Sequence, residues 1–175
     1  KKKKETDLGN GLILRLPIIA SPMDTISEAA MAVSLGNAGG AAIIHRYNGI
    51  ENQSRMINIA TEVGNKGINI GAAVGISGDF IERAQSLIDS GATFLCVDVA
   101  HGHHILMKEA IASIRKAVGD GVHIMAGNIA TLEGINDLAD WGADSIRCNI
   151  GGGSICSTRV QTGHGVPGLQ TIIDC

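Results

Sequence analysis

Six short apolar segments recur along the chain, and each of the first five is followed by a stretch of helical character, in which apolar residues lie three or four positions apart. Such alternation of continuous apolar strands with amphipathic helices is typical of βα units that build a parallel sheet. The predicted strands are residues 16–20, 40–45, 68–74, 93–100, 122–126 and 144–150. The predicted helices are residues 27–35, 50–63, 79–90, 105–118 and 132–141, with a last helix starting near Leu169.

Polar and glycine-rich stretches at the ends of these strands decide between two parallel architectures. A doubly wound sheet binds ligands at its switch point, whereas a TIM barrel gathers the loop after every strand onto one face. Here such loops follow all six strands. A complete barrel has eight strands and typically ~250 residues. We therefore predict an α/β fold, a TIM (β/α)8 barrel with about six of its eight βα units present, as one partial catalytic domain over residues 1–175. Such a sheet would have two open edges.

Composition narrows the class of function. Acidic residues outnumber basic ones, 17 to 14, and aromatics make up 2% of the chain, which argues against a nucleic-acid binder. We expect no membrane span, because no apolar run approaches ~18 residues. The four cysteines include no closely spaced pair and no apolar leader precedes them, so reduced thiols and a cytoplasmic location are expected. Lys1–Lys4 is interpreted as a solvated tail.

The strongest candidate for chemistry is the glycine-rich loop at residues 150–159. Its consecutive glycines leave backbone N–H groups free to face an anion and carbonyls free to face a cation. A thiol beside such a loop sits in an electropositive setting that lowers its pKa, so Cys156 is a candidate nucleophile. Ser154 offers a hydroxyl suited to phosphate, and Thr158 could orient a water. The spacing is equally compatible with a flexible loop and an incidental cysteine.

Three further strand ends carry polar side chains. Asp98 ends the fourth apolar segment, where an inward carboxylate could accept ribose hydroxyls, and Asn128 offers an amide. The turn at residues 21–24 offers a Met23 thioether that suits a flat heterocycle, although a simple βα turn explains it as well. Three histidines follow Asp98, but they lack metal-ligand spacing, so a polar loop is favoured over a metal site.

Taken together, these segments resemble the family of inosine monophosphate (IMP) dehydrogenase and guanosine monophosphate (GMP) reductase. The matching motifs are LPIIASPMDT at 16–25, IHR at 44–46, GAAVG at 71–75, VDVAHGH at 97–103, AGNIAT at 126–131 and IGGGSICSTR at 150–159. The resemblance implies that Cys156 attacks C2 of a purine nucleotide while a hydride passes between that carbon and a nicotinamide cofactor. The dehydrogenase oxidises IMP to xanthosine monophosphate (XMP) with NAD, and the reductase converts GMP to IMP with NADPH.

The resemblance also implies a role for each matching residue. Catalysis would fall to Cys156 and Thr158, substrate binding to Ser21, Met23 and Ser154, cofactor binding to Asp98, Asn128 and Arg147, and a potassium ion to the carbonyls of Gly151, Gly153 and Cys156. A homotetramer is implied as well.

The sequence departs from the family pattern in two ways. Asn149 stands where the family usually has glycine. Residues 45–68 leave no room for the paired nucleotide-sensing (CBS) module of many dehydrogenases, and the segments that separate dehydrogenase from reductase lie outside the sequence. We favour the dehydrogenase and retain the reductase as the alternative. A non-catalytic nucleotide-binding fragment and a phosphate-binding barrel of another pathway are the alternatives from other classes.

Overall fold

The computed structural model describes residues 5–154, 156–163 and 165–175, and its centre is one six-stranded parallel sheet. The strands are β1 (Thr6–Asp7), β2 (Ile13–Leu14), β3 (Ile19–Ala20), β4 (Ala41–Ile44), β5 (Asn69–Val74), β6 (Phe94–Asp98), β7 (His123–Ile129) and β8 (Ser145–Cys148). The helices are α1 (Ala29–Ala38), α2 (Ile50–Val63), α3 (Phe80–Asp89), α4 (Ile105–Val118), α5 (Leu132–Asp140), α6 (Thr158–Thr162) and α7 (Gly168–Asp174). The predicted tail at Lys1–Lys4, Ile155 and His164 lie outside the described residues.

The strand order identifies the architecture. Strands β3 to β8 pair with their sequence neighbours only, all in parallel, and the sheet curls into a half-barrel. A doubly wound sheet would reverse its order at a switch point, and this sheet does not. The predicted partial TIM barrel is therefore confirmed, and each predicted strand corresponds to one strand of the sheet. Within the described residues β3 and β8 are the two unpaired edges.

The sheet has a buried core on each of its faces. On the concave face Ile43, Phe94 and Met125 pack against Leu12 and Leu14 of the segment that forms the β1–β2 hairpin. This hairpin covers the amino end of the half-barrel. On the convex face the sheet packs against the helices through buried apolar residues that include Ile44, Leu95, Ile57, Leu87 and Ile111.

Strand alternation aims polar groups into the concave face. Phe94 and Cys96 point inward on β6, and the period of two places Asp98 on the same face at the strand's carboxyl end. The predicted strand at 122–126 extends instead to Ile129. Its register with β8 shifts between Gly127 and Ile129, so Asn128 occupies an irregularity that redirects its side chain.

Two elements were not predicted. The β1–β2 hairpin pairs only two residues per strand, too few to show alternation in the sequence. Helix α6 has five residues and follows the glycine loop directly. Among the described residues, no helix is both long and apolar enough to cross a membrane.

Candidate active site

The predicted site residues meet at the carboxyl ends of the strands. Ser21 and Met23 follow β3, Asp98 ends β6, Asn128 lies in β7, Arg147 lies in β8, and Gly151, Gly153, Ser154, Cys156 and Thr158 follow β8. The parallel sheet brings these ends together, as a TIM barrel does for its active site.

Arg147 connects three of these strand ends. Its Nη1 donates to Asp98 Oδ1 at 2.5 Å, and its Nη2 donates to Ser21 Oγ at 3.2 Å. Both members of the ion pair are 20% exposed, so the attraction is only partly screened by water. Gly127 makes room for this arrangement, because a Cβ there would lie 2.7 Å from Arg147 Cβ. The Asp98 carboxylate is therefore oriented by a guanidinium.

The glycine loop begins with a fixed turn at Asn149. Asn128 Nδ2 donates to the Asn149 carbonyl at 2.8 Å, and the Asn149 N–H donates to the Ile129 carbonyl at 2.7 Å. Asn149 has a φ of +92° and Gly151 a φ of +67°, so the backbone enters the left-handed region twice. At Gly151 a side chain is also excluded by space, because a Cβ would lie 2.6 Å from Arg159 Cγ.

Cys156 is held where its thiol can react. The thiol and the Thr158 hydroxyl are 3.2 Å apart, and the Cys156 N–H donates to the Gly153 carbonyl at 3.1 Å. Hydrogen bonds from the side chain and then the backbone of Thr158 lower the pKa of Cys156. In contrast, burial raises the pKa of Cys96 to about 12. Cys156 thus has the properties of a reactive cysteine and Cys96 those of a packing residue.

Two cavities meet at Cys156. The first has a volume of about 730 Å³, with Ile19, Ile43 and Met125 in its apolar floor and Ser21 and Met23 at its side. The second has a volume of about 440 Å³ and is lined by Pro22, Asp98 and Thr158 among others. The residues that line both cavities are Asn128, Arg147, Asn149, Gly151 and Cys156. A thiol between two adjoining cavities can contact two bound molecules at once.

The donor set of the glycine loop fits the monovalent cation that the family resemblance implies. The Gly153 carbonyl accepts one hydrogen bond and keeps a second lone pair. Asn149 Oδ1 is buried and has no hydrogen-bond partner among the described residues, and its amide lies against Gly152. Carbonyl oxygens of this kind are the ligands that a hard cation takes. Gly151, Gly153 and Cys156 would hold the ion through their backbone.

Other predicted residues lie away from the two cavities or serve local structure. Ser154 is exposed and lines neither cavity, so its phosphate role stays a prediction. His104 caps α4 by accepting from the Leu106 N–H at 3.1 Å, and His103 Nε2 lies 2.7 Å from Asp137 Oδ2. These histidines hold the loop before α4.

Sequence reasoning assigned no role to Arg46 or to Tyr47, which both line the second cavity. Their signal was available, because they directly follow His45, the last residue of the predicted strand at 40–45, at the carboxyl end of β4. In the sequence Arg46 counted only as part of a polar strand end and of the family motif at 44–46, with no binding role.

Comparison with known proteins agrees with this geometry. The family model of the IMP dehydrogenase / GMP reductase domain matches residues 1–175. An inosine-5'-monophosphate dehydrogenase of Borreliella burgdorferi is 31% identical over an alignment of 218 positions, which covers 97% of this chain and 54% of that protein. One of Nitrosopumilus maritimus is 49% identical over 106 residues, 61% of this chain and 22% of that protein.

A GMP reductase of Leishmania major is 45% identical over 107 residues, again 61% of this chain and 22% of that protein. The chain thus spans about half the length of the Borreliella relative, and its match to the other two is shorter. The sequence match extends over the same strand ends that form the two cavities around Cys156. The chain belongs to the IMP dehydrogenase / GMP reductase family.

Proposed function

We propose that this chain carries the nucleophile and the two substrate cavities of a purine-nucleotide oxidoreductase, and that its reaction is the NAD-dependent oxidation of IMP to XMP. The observation that carries the proposal is the position of Cys156 between two adjoining cavities. The apolar floor of the first cavity suits a purine ring. The Asp98–Arg147 pair at the second cavity suits the hydroxyl groups of a cofactor ribose.

In this proposal the Cys156 thiolate forms a bond from its Sγ to C2 of the purine. The Thr158 hydroxyl, 3.2 Å from that sulfur, stabilises the thiolate before attack. Asp98, Asn128 and Arg147 would hold NAD in the second cavity, where the cofactor would supply the acceptor for the hydride that leaves C2. Water then adds at C2, the S–C bond breaks, and the thiol returns as the oxidised nucleotide departs. Thr158 would orient that water, because its hydroxyl lines the second cavity beside the sulfur.

The other binding residues are assigned to the substrate or to the cofactor by the cavity that they line. Ser21 and Met23 would contact the nucleotide from the side of the first cavity. Ser154, which is exposed outside both cavities, would meet the phosphate at the end of the nucleotide that extends out of the first cavity. Asp98, Asn128 and Arg147 would contact the cofactor in the second cavity. A potassium ion held by Gly151, Gly153 and Cys156 would fix the loop. Because the thiol must remain reduced, we expect a cytoplasmic protein, and we propose a homotetramer as its assembly.

GMP reduction with NADPH is the second candidate, favoured by the 45% identity to the Leishmania GMP reductase. The same thiol would form an S–C bond at C2 of GMP and ammonia would leave. NADPH, when bound, would supply a hydride to that carbon, and the S–C bond would then break to release IMP and the thiolate. One experiment separates the two reactions. NADH absorbance is followed with IMP and NAD in one arm, and NADPH absorbance with GMP in the other. Formation of NADH supports the dehydrogenase, and consumption of NADPH supports the reductase.

A second measurement tests nucleotide binding apart from turnover. Iodoacetamide labels Cys156, and IMP or GMP should slow that labelling when either nucleotide fills the first cavity. Protection without turnover in either arm would identify a nucleotide-binding fragment without activity of its own. Absence of both protection and turnover would contradict the proposal and favour a phosphate-binding barrel of another pathway.

A further inference from the structure

The second cavity holds a guanidinium that the proposed mechanism does not use. Arg46 lies two residues after the end of β4 at Ile44 and lines the second cavity. Its Nη2 donates to the Asp98 carbonyl at 3.3 Å. Its Nε is buried and has no hydrogen-bond partner among the described residues. A buried N–H donor without a partner is costly, so a site that keeps one is suited to a ligand that supplies the acceptor.

The side chains that line this cavity carry a net positive charge. Its lining contains two arginines, Arg46 and Arg147, and one carboxylate, Asp98. Asp98 is paired with Arg147. Arg46 forms no ion pair within the described part of the chain. Its guanidinium carbon lies 5.9 Å from the centroid of the exposed Tyr47 ring, a contact that does not neutralise its charge, so that charge is available to a ligand.

Only one part of a dinucleotide matches such a charge. The planar fork of a guanidinium fits two oxygens of a phosphate group. The oxidised nicotinamide ring is itself positive and would be repelled by an unpaired arginine. The negative charges of the dinucleotide are on the diphosphate that joins its two nucleosides, so the diphosphate is the group whose charge is complementary to Arg46.

The segment that carries Arg46 is fixed from beneath by buried polar groups. Arg83 Nη1 donates to the Asn48 carbonyl at 3.1 Å and to Gln53 Oε1 at 2.7 Å. Gln53 Nε2 donates in turn to the Ile44 carbonyl at 3.1 Å and to the Ala73 carbonyl at 2.9 Å. These bonds tie residues 45–49 to the ends of β4 and β5. The guanidinium is therefore presented from a rigid support, which reduces the entropy lost on binding.

We propose that Arg46 is a phosphate-binding residue of the cofactor cavity and contacts the diphosphate of the nicotinamide dinucleotide. The inference rests on the proposed function for the identity of the cofactor. It adds a residue and a chemical group to the cofactor contacts of Asp98, Asn128 and Arg147.

The test compares Arg46→Gln and Arg46→Lys with Arg55→Gln as the matched control. Arg55 lies on the surface of α2 and bonds only to Asn52 Oδ1 among the described residues. Calorimetric titrations use NAD, nicotinamide riboside, which has no phosphate, and inorganic diphosphate. Arg46→Gln should weaken NAD and diphosphate binding by about tenfold or more, because a charge-assisted bond is lost. Arg46→Lys should weaken them less, since the charge remains without the fork. The affinity for nicotinamide riboside should be the same in all variants as in the wild type. Arg55→Gln should bind NAD and diphosphate as tightly as the wild type does.

The other outcomes are equally informative. If Arg46→Gln weakens nicotinamide riboside as much as NAD, Arg46 contacts the nicotinamide half and the inference is wrong. Unchanged binding of NAD and diphosphate would overturn it as well. If wild-type protein binds diphosphate through Arg46 but does not bind NAD, the anion site stands and the proposed cofactor fails. If wild-type protein binds neither diphosphate nor NAD, both the anion site at Arg46 and the proposed cofactor are wrong.

Discussion

The two ends of the half-barrel differ in whether their buried polar side chains have hydrogen-bond partners within the fold. At the amino end, His123 Nδ1 lies 2.8 Å from the Gly9 carbonyl and its Nε2 lies 2.7 Å from Ser145 Oγ. Asp144 Oδ2 there accepts from the Ile124 N–H at 2.7 Å and from Arg115 Nη2 at 2.8 Å. Each of these side chains is used by the fold itself.

At the carboxyl end the corresponding groups are left open. Four buried side-chain atoms have no hydrogen-bond partner among the described residues, and three of them belong to Arg46, Asn48 and Asn149 in the segments after β4 and β8. The fourth belongs to Thr171 of α7. Because an open buried polar atom costs stability, the concentration of such atoms at one end indicates that this end is built for ligands. Substitutions at the amino end should therefore change mainly the free energy of unfolding, and substitutions at the carboxyl end should change mainly activity and ligand binding.

The largest effect is expected for Cys156→Ala. Removing the nucleophile should lower turnover of IMP by about three orders of magnitude or more, because no covalent route remains. Cys156 is only half-buried, in a loop that is mostly exposed, so the free energy of unfolding should change little. Steady-state rates and urea unfolding curves measure the two quantities. Normal turnover by the alanine variant would contradict the covalent mechanism.

Asp144→Ala should show the reverse pattern. It leaves the buried Ile124 N–H without its acceptor and removes the carboxylate that pairs with Arg115, so it should lower the free energy of unfolding by about 2–3 kcal/mol. Asp144 lines neither active-site cavity, so the activity per folded molecule should be unchanged. Asp140→Ala is the control, because that carboxylate is exposed, and it should stay within about 0.5 kcal/mol of wild type.

The destabilisation by Asp144→Ala should also depend on pH. Burial alone would raise the pKa of Asp144, but hydrogen bonds from Ile124, Arg115 and Asn10 outweigh it and lower that pKa. The carboxylate therefore stabilises the fold above its unfolded pKa of ~3.9, and this stability is lost as pH falls through the lower folded value. Unfolding curves of both proteins should differ fully at neutral pH and converge in acid. A constant difference would show that the charge of Asp144 contributes nothing.

Thr158→Val should have a smaller effect, confined to the carboxyl end. It removes the hydroxyl that lies 3.2 Å from the Cys156 sulfur, so the pKa of that thiol should rise. The thiolate fraction at neutral pH falls, and alkylation of Cys156 should slow severalfold, with its pH midpoint moved to higher pH. Labelling rates across a pH series, read by mass spectrometry for each cysteine, measure this shift.

Two other cysteines serve as internal controls for that experiment. Exposed Cys175 should label at the same rate in both proteins, and buried Cys96 should remain unlabelled in both. An unchanged midpoint for Cys156 in the valine variant would mean that another group sets its reactivity.

The sequence predicted best what depends on local pattern. The strands were found because burial on both faces leaves continuous apolar runs, as at 68–74 and 93–100. Asp98 and Cys156 were found because they end such a run or follow the glycine loop. The exposure of Ser154 and the orphaned atoms of Arg46 and Asn149 were not predictable. They depend on contacts between segments far apart in the chain.

The Arg147–Asp98 pair shows why those contacts escape the sequence. The two residues are 49 positions apart, and their approach requires the register of β6, β7 and β8 together with the irregularity at Asn128. Register is set by packing of the whole sheet rather than by the residues of one strand. A sequence can therefore identify a residue at a strand end without identifying the partner of its side chain.

The smallest effect, and the most direct test of the contrast between the two ends, is expected for Asn149→Gly and Asn10→Gly. Both asparagines have a positive φ, +92° and +42°. Asn10 Nδ2 donates to the carbonyls of Asp120 and Val122 and to Asp144 Oδ2, whereas Asn149 Oδ1 is buried without a partner among the described residues.

Glycine at 149 removes backbone strain and an acceptor that has no hydrogen bond, so the free energy of unfolding should rise by about 1 kcal/mol. Glycine at 10 removes strain but also three hydrogen bonds, so stability should fall by about 1 kcal/mol. Urea unfolding of both variants gives the two signs directly. If Asn149→Gly also lowered stability, the Asn149 side chain would be supporting the fold, and the proposed difference between the two ends would be wrong at its most informative position.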